Sequence, residues 1–315
     1  MKFSFYHLVK HSRKLPYLLF LVWFASCSPA RKISNSKLIG LKNSYCTPNV
    51  PYQLSLDFWK DDKSVDLSNT KINPHDQLLC KILGISEQVR KLSKNNTDSL
   101  SLERLRLLQK INGRIRIAQI ELQAIAAELD CEGERADMAG AYLDNLDDKR
   151  NRNYTVASVI VAALTTVATV VVSGEGAQTA IGVSGGLISA GLGAVTINPK
   201  GHKLEFNHER NLLRSIWTET EINTDYPGFV WKMLHEKQFS NKGDKTLSQS
   251  IKNRWVEFEF DGEAEGDKQS LIFGNGGIYH ADDFHTRSSM INQLQSTIRS
   301  INQDLTSLVV YVEGL

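Results

Sequence analysis

Between Tyr154 and Asn198 the chain runs for 45 residues with a single charged side chain, Glu175. Tyr154 to Ser173 is built mainly from Val, Ala and Thr. Gly174-Glu175-Gly176 interrupts it, and Ala177 to Asn198 is again uncharged, with Gly182, Gly185, Gly186, Gly191 and Gly193. Each half is long enough to cross a bilayer, which takes about 20 apolar residues. Lys149, Arg150 and Arg152 precede the pair, and Lys200, His202 and Lys203 follow it. A helical hairpin over 154–198 therefore carries both basic clusters at one end and Glu175 at the other. Each Val, Ile or Leu favours insertion by only about 0.3–0.6 kcal/mol, and the many Ser, Thr, Ala and Gly dilute that gain. Two fates stay open: burial as a cap on the rest of the fold, or contact with a membrane. For membrane contact the residues singled out are Val161, Val170, Gly182, Gly186 and Ala190. The last three, with Ala194, recur every four positions, and small residues so spaced let helix backbones approach closely in lipid.

Three other segments carry an apolar seam at heptad spacing. The first holds Leu78, Ile82, Ile85, Val89 and Leu92. The second holds Leu108, Ile111, Ile115, Ala118, Leu122, Ile125 and Leu129, resuming as Ala136, Ala139, Leu143 and Leu146. The third holds Ile291, Leu294, Ile298, Ile301, Leu305 and Leu308, with Phe284 one heptad earlier. Alternating steps of three and four keep such residues on one helix face and favour coiled-coil packing. Asn95-Asn96-Thr97-Asp98-Ser99 reads as a loop with capping residues, so the first two helices form an antiparallel hairpin and the third joins them in a bundle. The alternative is three amphipathic helices sharing a globular core. Arg104, Arg106, Lys110, Arg114 and Arg116 crowd the start of the second helix, while Glu121, Glu128, Asp130, Glu132, Glu134 and Asp137 follow. This order opposes the helix dipole and is read as solvated faces matched to neighbouring helices.

Residues 203–253 read as short helices, with Phe206, Leu213 and Ile216 on one face and a break at Pro227-Gly228. Val256, Phe258 and Phe260 alternate with Glu257, Glu259 and Asp261, a strand signature that Gln269 to Phe273 can pair with as a β-hairpin. Gly274-Asn275-Gly276-Gly277 then turns the chain into the last helix. Asp261-Gly262-Glu263-Ala264-Glu265-Gly266 has part of a calcium loop, but its twelfth position is Ile272 rather than a bidentate Glu; it reads as a solvated hairpin tip. In the cluster His280, Asp282, Asp283 and His285, capping of the last helix by Asp282 or Asp283 is more economical than a metal site. No phosphate loop, no Gly-x-Ser-x-Gly and no nucleophile–base pair is evident. No catalytic residue, metal or cofactor is therefore assigned, and a non-enzymatic role is expected.

At the N-terminus Lys2, Lys10, Arg13 and Lys14 precede an apolar run, Leu15 to Phe24, too short to span a bilayer. Phe24-Ala25-Ser26-Cys27 closes it. The stretch resembles the lipobox of bacterial lipoprotein signal peptides, with Phe24 where Leu is usual. The resemblance implies cleavage before Cys27 and acylation of its sulfur; cleavage after Ser28-Pro29-Ala30 is the alternative and would leave a plain secreted protein. Ser28 is not the aspartate that resembles an inner-membrane retention signal, so an outer-membrane anchor is expected. Removing 26 of the 315 residues leaves 33 basic against 35 acidic side chains, and no charge argument for nucleic acid survives. Cys46, Cys80 and Cys131 remain. The helical offset disfavours Cys80–Cys131 and leaves Cys46 open to either.

The expected fold is mainly α: an elongated antiparallel coiled coil or three-helix bundle with an apolar helical hairpin and a small β-hairpin. The expected divisions are a signal over 1–26, a lipid-anchored tether over 27–73, a helical hairpin over 74–153, the apolar hairpin over 154–198, short helices over 199–253, and a β-hairpin plus heptad helix over 254–315. Heptad helices flanking an apolar hairpin are loosely similar to cytolysin-type α-helical pore-forming toxins over about residues 74–220. The lipobox with Gly182 to Gly193 resembles glycine-zipper lipoproteins, although the first half of the apolar segment is almost free of glycine. The expected function is structural or interaction-based at the cell envelope, with membrane lipid and a second copy or an envelope protein as partners; a pore-forming or membrane-disrupting effector is the alternative.

Overall fold

The computed structural model describes residues 41, 45–50, 52, 59, 65–94, 102–197, 201–219, 225–240, 243–263 and 266–315. Cys27, the expected signal segment over 1–26 and the Asn95–Ser99 connection lie outside the described residues. The protein is mainly helical. In chain order it has α1 (Pro74–Leu83), α2 (Ser86–Lys94), α3 (Leu102–Val171), α4 (Glu175–Ile197), β1 (Leu204–Asn207), α5 (Leu212–Thr218), α6 (Gly228–His235), α7 (Leu247–Glu259), α8 (Asp267–Phe273), β2 (Gly276–Tyr279) and α9 (Ala281–Glu313). The chain divides into two compact units. One comprises, among the described residues, Asn145–Lys203; the other comprises those up to Asp144 and from Leu204 onward.

The larger unit is built on the heptad seams. Ile111, Ile115, Ala118, Leu122, Ile125 and Leu129 of α3 are buried, as are Phe284, Ile291, Leu294, Ile298, Ile301, Leu305 and Leu308 of α9. The two helices pack antiparallel. Gln295 Nε2 donates to Ala126 O at 2.9 Å and to Asp130 Oδ1 at 2.8 Å. A Cβ on Gly133 would lie 3.3 Å from Ile291, and one on Gly140 would lie 2.9 Å from His285, so small residues on α3 make room for α9. The first seam is also buried at Ile82, Ile85, Val89 and Leu92, but it is split into α1 and α2. Gly84 ends α1 in the left-handed region at φ 64°, its N–H donating to Cys80 and Lys81 carbonyls, the usual glycine termination of a helix. Asp76 of α1 accepts Ser307 Oγ on both oxygens, at 2.8 and 2.6 Å, tying α1 to α9. Trp59, Leu67 and Ile72, within the expected tether, are buried in the same core.

The strand assignment is corrected. Val256, Phe258 and Phe260 do not form a strand; residues 247–259 are helix α7, begun by a capping box in which Thr246 and Gln249 exchange hydrogen bonds, an arrangement that satisfies otherwise orphaned N–H groups. Ile251 and Trp255, four apart, are its buried face, and Phe258 is exposed. Residues 267–273 are likewise helix α8. The sheet is instead β1 with β2, antiparallel, with Phe206 opposite Gly277 and Asn207 opposite Gly276. Phe206 thus lies in a strand, not on a helix face with Leu213 and Ile216. A Cβ on Gly276, at φ 92°, would sit 2.1 Å from Phe206 O, so Gly276 serves strand contact rather than a turn.

Several acids of α3 are also corrected. Glu121, Glu128 and Glu132 are buried, not solvated. Glu121 accepts Trp59 Nε1 at 2.8 Å and Phe229 N at 3.4 Å. Glu128 pairs with Arg210 at 3.3 Å, and Glu132 with Arg135 at 2.7 Å. Arg135, 1% exposed, lies over the Phe206 ring at 4.0 Å and donates to Leu41 O at 2.8 Å. Arg287, 2% exposed, donates to Ile272 O at 3.1 Å. His208 stands 2.7 Å from the Tyr279 hydroxyl.

Burial pushes the Glu128 carboxyl up to about 7 from 4.5, against the lowering pull of Arg210. The fold therefore holds a proton there that the unfolded chain releases. Stability from this group is full below pH 4.5 and is lost as pH rises toward 7, by about 3 kcal/mol at most. His208 acts oppositely. Burial, then Arg287, Arg135 and Arg214, hold its imidazole far below the usual range, so stability falls as pH drops through about 6.5 and the unfolded chain takes up a proton. Urea unfolding across pH should show Glu128→Gln flattening the slope between pH 4.5 and 7, and His208→Gln flattening the acid limb. Unchanged slopes would count against both assignments.

Cys46 and Cys131 form a disulfide, Cα atoms 5.6 Å apart. This settles the open pairing, and Cys80 is free and buried, its thiol pushed up to about 12 by burial and then by Asp76.

Candidate functional site: an apolar helical hairpin

The last part of α3 and all of α4 form an antiparallel hairpin. Gly174, at φ 153°, precedes α4, and its carbonyl accepts the N–H groups of Ala177 and Gln178 at 3.0 Å. Glu175 stands in the first turn of α4, at the tip. Gln178 Nε2 donates to Val172 O at 2.8 Å and closes the turn. At the base, His202 N donates to both Asp147 oxygens at 3.1 and 3.0 Å, and Arg150 lies 3.3 Å from the same carboxylate.

The interface between the two helices is made of small and hydroxylated residues. The Ser158 and Ser189 hydroxyls are 3.0 Å apart, and each also donates to the other residue's carbonyl, at 3.1 and 3.2 Å. A Cβ on Gly185 would fall 1.9 Å from Thr165 Oγ1, and one on Gly182 3.8 Å from Thr169 Cγ2. The large aliphatic side chains point the other way. Val159 is 62% exposed, Leu164 64% and Val170 79%; Ile160, Val167, Val183, Leu187 and Ile188 are exposed as well. A soluble protein buries its aliphatics and hydrates its hydroxyls. In this hairpin the aliphatics are exposed, while Ser158, Thr165 and Ser189 face the partner helix.

The hydroxyls are also satisfied without water. Thr155, Thr165, Thr166 and Thr179 donate to carbonyls four residues back, and Thr169 and Thr196 to carbonyls three back, at 2.7–3.0 Å. An unpaired polar group in hydrocarbon costs several kcal/mol; here each of these donors has an acceptor within its own helix. From Tyr154 to Val171 the helix rises ~27 Å, and α4 rises ~34 Å, against a hydrocarbon thickness of about 30 Å. Both α3 and α4 contain a stretch long and apolar enough to cross a membrane, and almost none of that apolar length is buried.

The sequence-selected residues fall on different faces. Val170 is on the outer face, and Val161 is half-buried with its carbonyl accepting Thr165 Oγ1. Gly182 faces Thr169. Gly186 and Ala190 are exposed, and nothing lies within 4 Å of a Cβ on Gly186. The contact row is Gly182, Gly185 and Ser189, stepping by three and then four. A row of fours drifts about 40° per step on a helix of 3.6 residues per turn, which carries Gly186 and Ala190 off the seam. Counting outward from Glu175 pairs Thr165 with Gly185; that register was the available signal for the partners missed.

The other polar motifs have structural roles. Asp261 to Gly266 joins α7 to α8. His280 precedes α9 and its N–H donates to Asp283 Oδ2 at 2.9 Å, so Asp283 caps from the third helical position rather than as the first cap. His285 pairs with Asp144 at 2.8 Å. Among the described residues no group of three or more His, Cys, Asp or Glu is placed to hold a metal ion. A space bounded by Glu128, Glu132, Arg210 and Arg287 is about 10 Å³, room for one water at most. The chain matches no protein-family model, no curated protein and no solved structure.

Proposed function

We propose that this is a non-enzymatic bacterial envelope protein attached to a membrane twice, by acyl chains on Cys27 and by insertion of the hairpin at 154–197 into a bilayer. The observation that carries the proposal is the inverted seam of the hairpin, with Ser158, Thr165, Gly182, Gly185 and Ser189 between the helices and Val159, Leu164, Val170 and Leu187 outside. In water a contiguous exposed apolar surface is a liability; in lipid it is the low-energy arrangement, since close packing of small residues is what holds membrane helices together. The lipobox-like Phe24 to Cys27 supports the first attachment, and Ser28 favours the outer membrane.

Protease protection of the full chain in vesicles tests the reading. A glutamate-specific protease added outside should spare Glu175 while cutting exposed sites of the larger unit. Leu164→Asp, near the middle of the apolar length of α3 and 64% exposed, should weaken insertion about a hundredfold, given a cost of about 2.5–3.5 kcal/mol for a charge at the centre of a membrane helix. Free cutting at Glu175 with every vesicle would defeat the proposal. Release of entrapped dye would favour the membrane-disrupting alternative.

A further inference from the structure

The geometry points to the base of the hairpin as a collar that binds the phosphates of anionic phospholipids in the leaflet it enters. This rests on the membrane reading and adds the lipid class. The collar is built by the same fold that makes the apolar element. Asp147 accepts from His202 and pairs with Arg150, which brings the chain at 201–203 beside α3. Around that clamp, Lys149 and Arg152 are exposed and Lys203 is half-exposed; among the described residues none of the three makes an ion pair. Asp147 is already engaged, so Asp148 is the one nearby carboxylate on α3 left to oppose them. Arg152 lies two residues before Tyr154, where the uncharged stretch begins. With the apolar length in hydrocarbon, these cations sit at headgroup depth.

The tip differs in sign. Glu175 is the sole charge there, so the two ends are electrically opposite, base positive and tip negative. A neutral zwitterionic surface offers the base little. An anionic one offers each Lys or Arg about a fivefold gain, from roughly 1 kcal/mol per residue near the surface. Three cations together give roughly a hundredfold.

The test uses the full chain carrying Cys27→Ser, with an environment-sensitive fluorophore on Val170→Cys; Cys80 is buried. The blue shift of the dye reports hairpin insertion alone. Vesicles of phosphatidylcholine, with and without phosphatidylglycerol, are titrated at low and raised salt. Insertion is expected to be about a hundredfold tighter with phosphatidylglycerol, and salt should erase most of the difference. Combining Lys149→Gln, Arg152→Gln and Lys203→Gln should remove the preference while leaving insertion into phosphatidylcholine unchanged. Equal insertion into both vesicles, or a preference that survives the triple substitution, overturns the collar and leaves the membrane reading intact. Absence of a blue shift with every vesicle overturns both.

Discussion

Gly185→Leu is expected to abolish the hairpin interface. Even a Cβ at this position would fall 1.9 Å from Thr165 Oγ1 and 2.6 Å from Thr165 Cβ. Thr165 cannot swing away freely, because its hydroxyl is bound to Val161 O at 2.8 Å and β-branched side chains in helices have few rotamers. Backbone separation is then required, and it breaks the Ser158–Ser189 exchange and the Gln178 closure together. Overpacking of this kind costs about 1–3 kcal/mol for a methylene or two; a leucine against a helix in contact should exceed that. Spin labels flanking the interface should show the two helices moving apart, and insertion into vesicles should fall more than tenfold. Gly186→Leu, on the open face, should leave both readouts unchanged. Equal effects from the two substitutions would show that the contact row is misplaced.

The second large effect is expected from the Cys46–Cys131 bond. It closes a loop of 85 residues, and loop closure on that scale is worth about 4 kcal/mol in the chain-entropy view. Reduction, or Cys131→Ser, should lower the thermal midpoint of the larger unit by about 10 °C, at roughly 2–4 °C per kcal/mol for domains of this size. The free Cys80, buried and kept protonated, supplies no rescuing pair. Calorimetry with and without reductant decides this; an unchanged midpoint would mean that the surrounding contacts alone hold the N-terminal segment on α3.

The helices were legible in the sequence because their seams are local. Phe284 through Leu308 and Ile111 through Leu129 follow steps of three and four, and both runs are buried. The apolar hairpin was legible too, from charge alone. What sequence could not supply were partners far along the chain. Glu121 looks solvent-ready until Trp59, 62 residues earlier, and Phe229, 108 residues later, are brought to it. The false strand at 256–260 had an alternating pattern, but the capping pair Thr246 and Gln249 and the spacing of Ile251 and Trp255 outweigh it in the fold. The true strands are four residues each, too short for alternation to stand out, and depend on Gly276 admitting the backbone of Phe206.

The antiparallel contact of α3 with α9 also constrains topology. Gly140 meets Phe284 and His285, and Ala126 meets Gln295, yet the apolar hairpin lies between these partners in the chain. One crossing of a membrane would strand them in different compartments. A crossing that returns, down one helix and back up the other, has even parity and leaves both on the same side. Under the proposed insertion, a helix pair rather than a lone span is thus the form that lets the sequence interrupt its own domain with a membrane element and still close that domain afterwards.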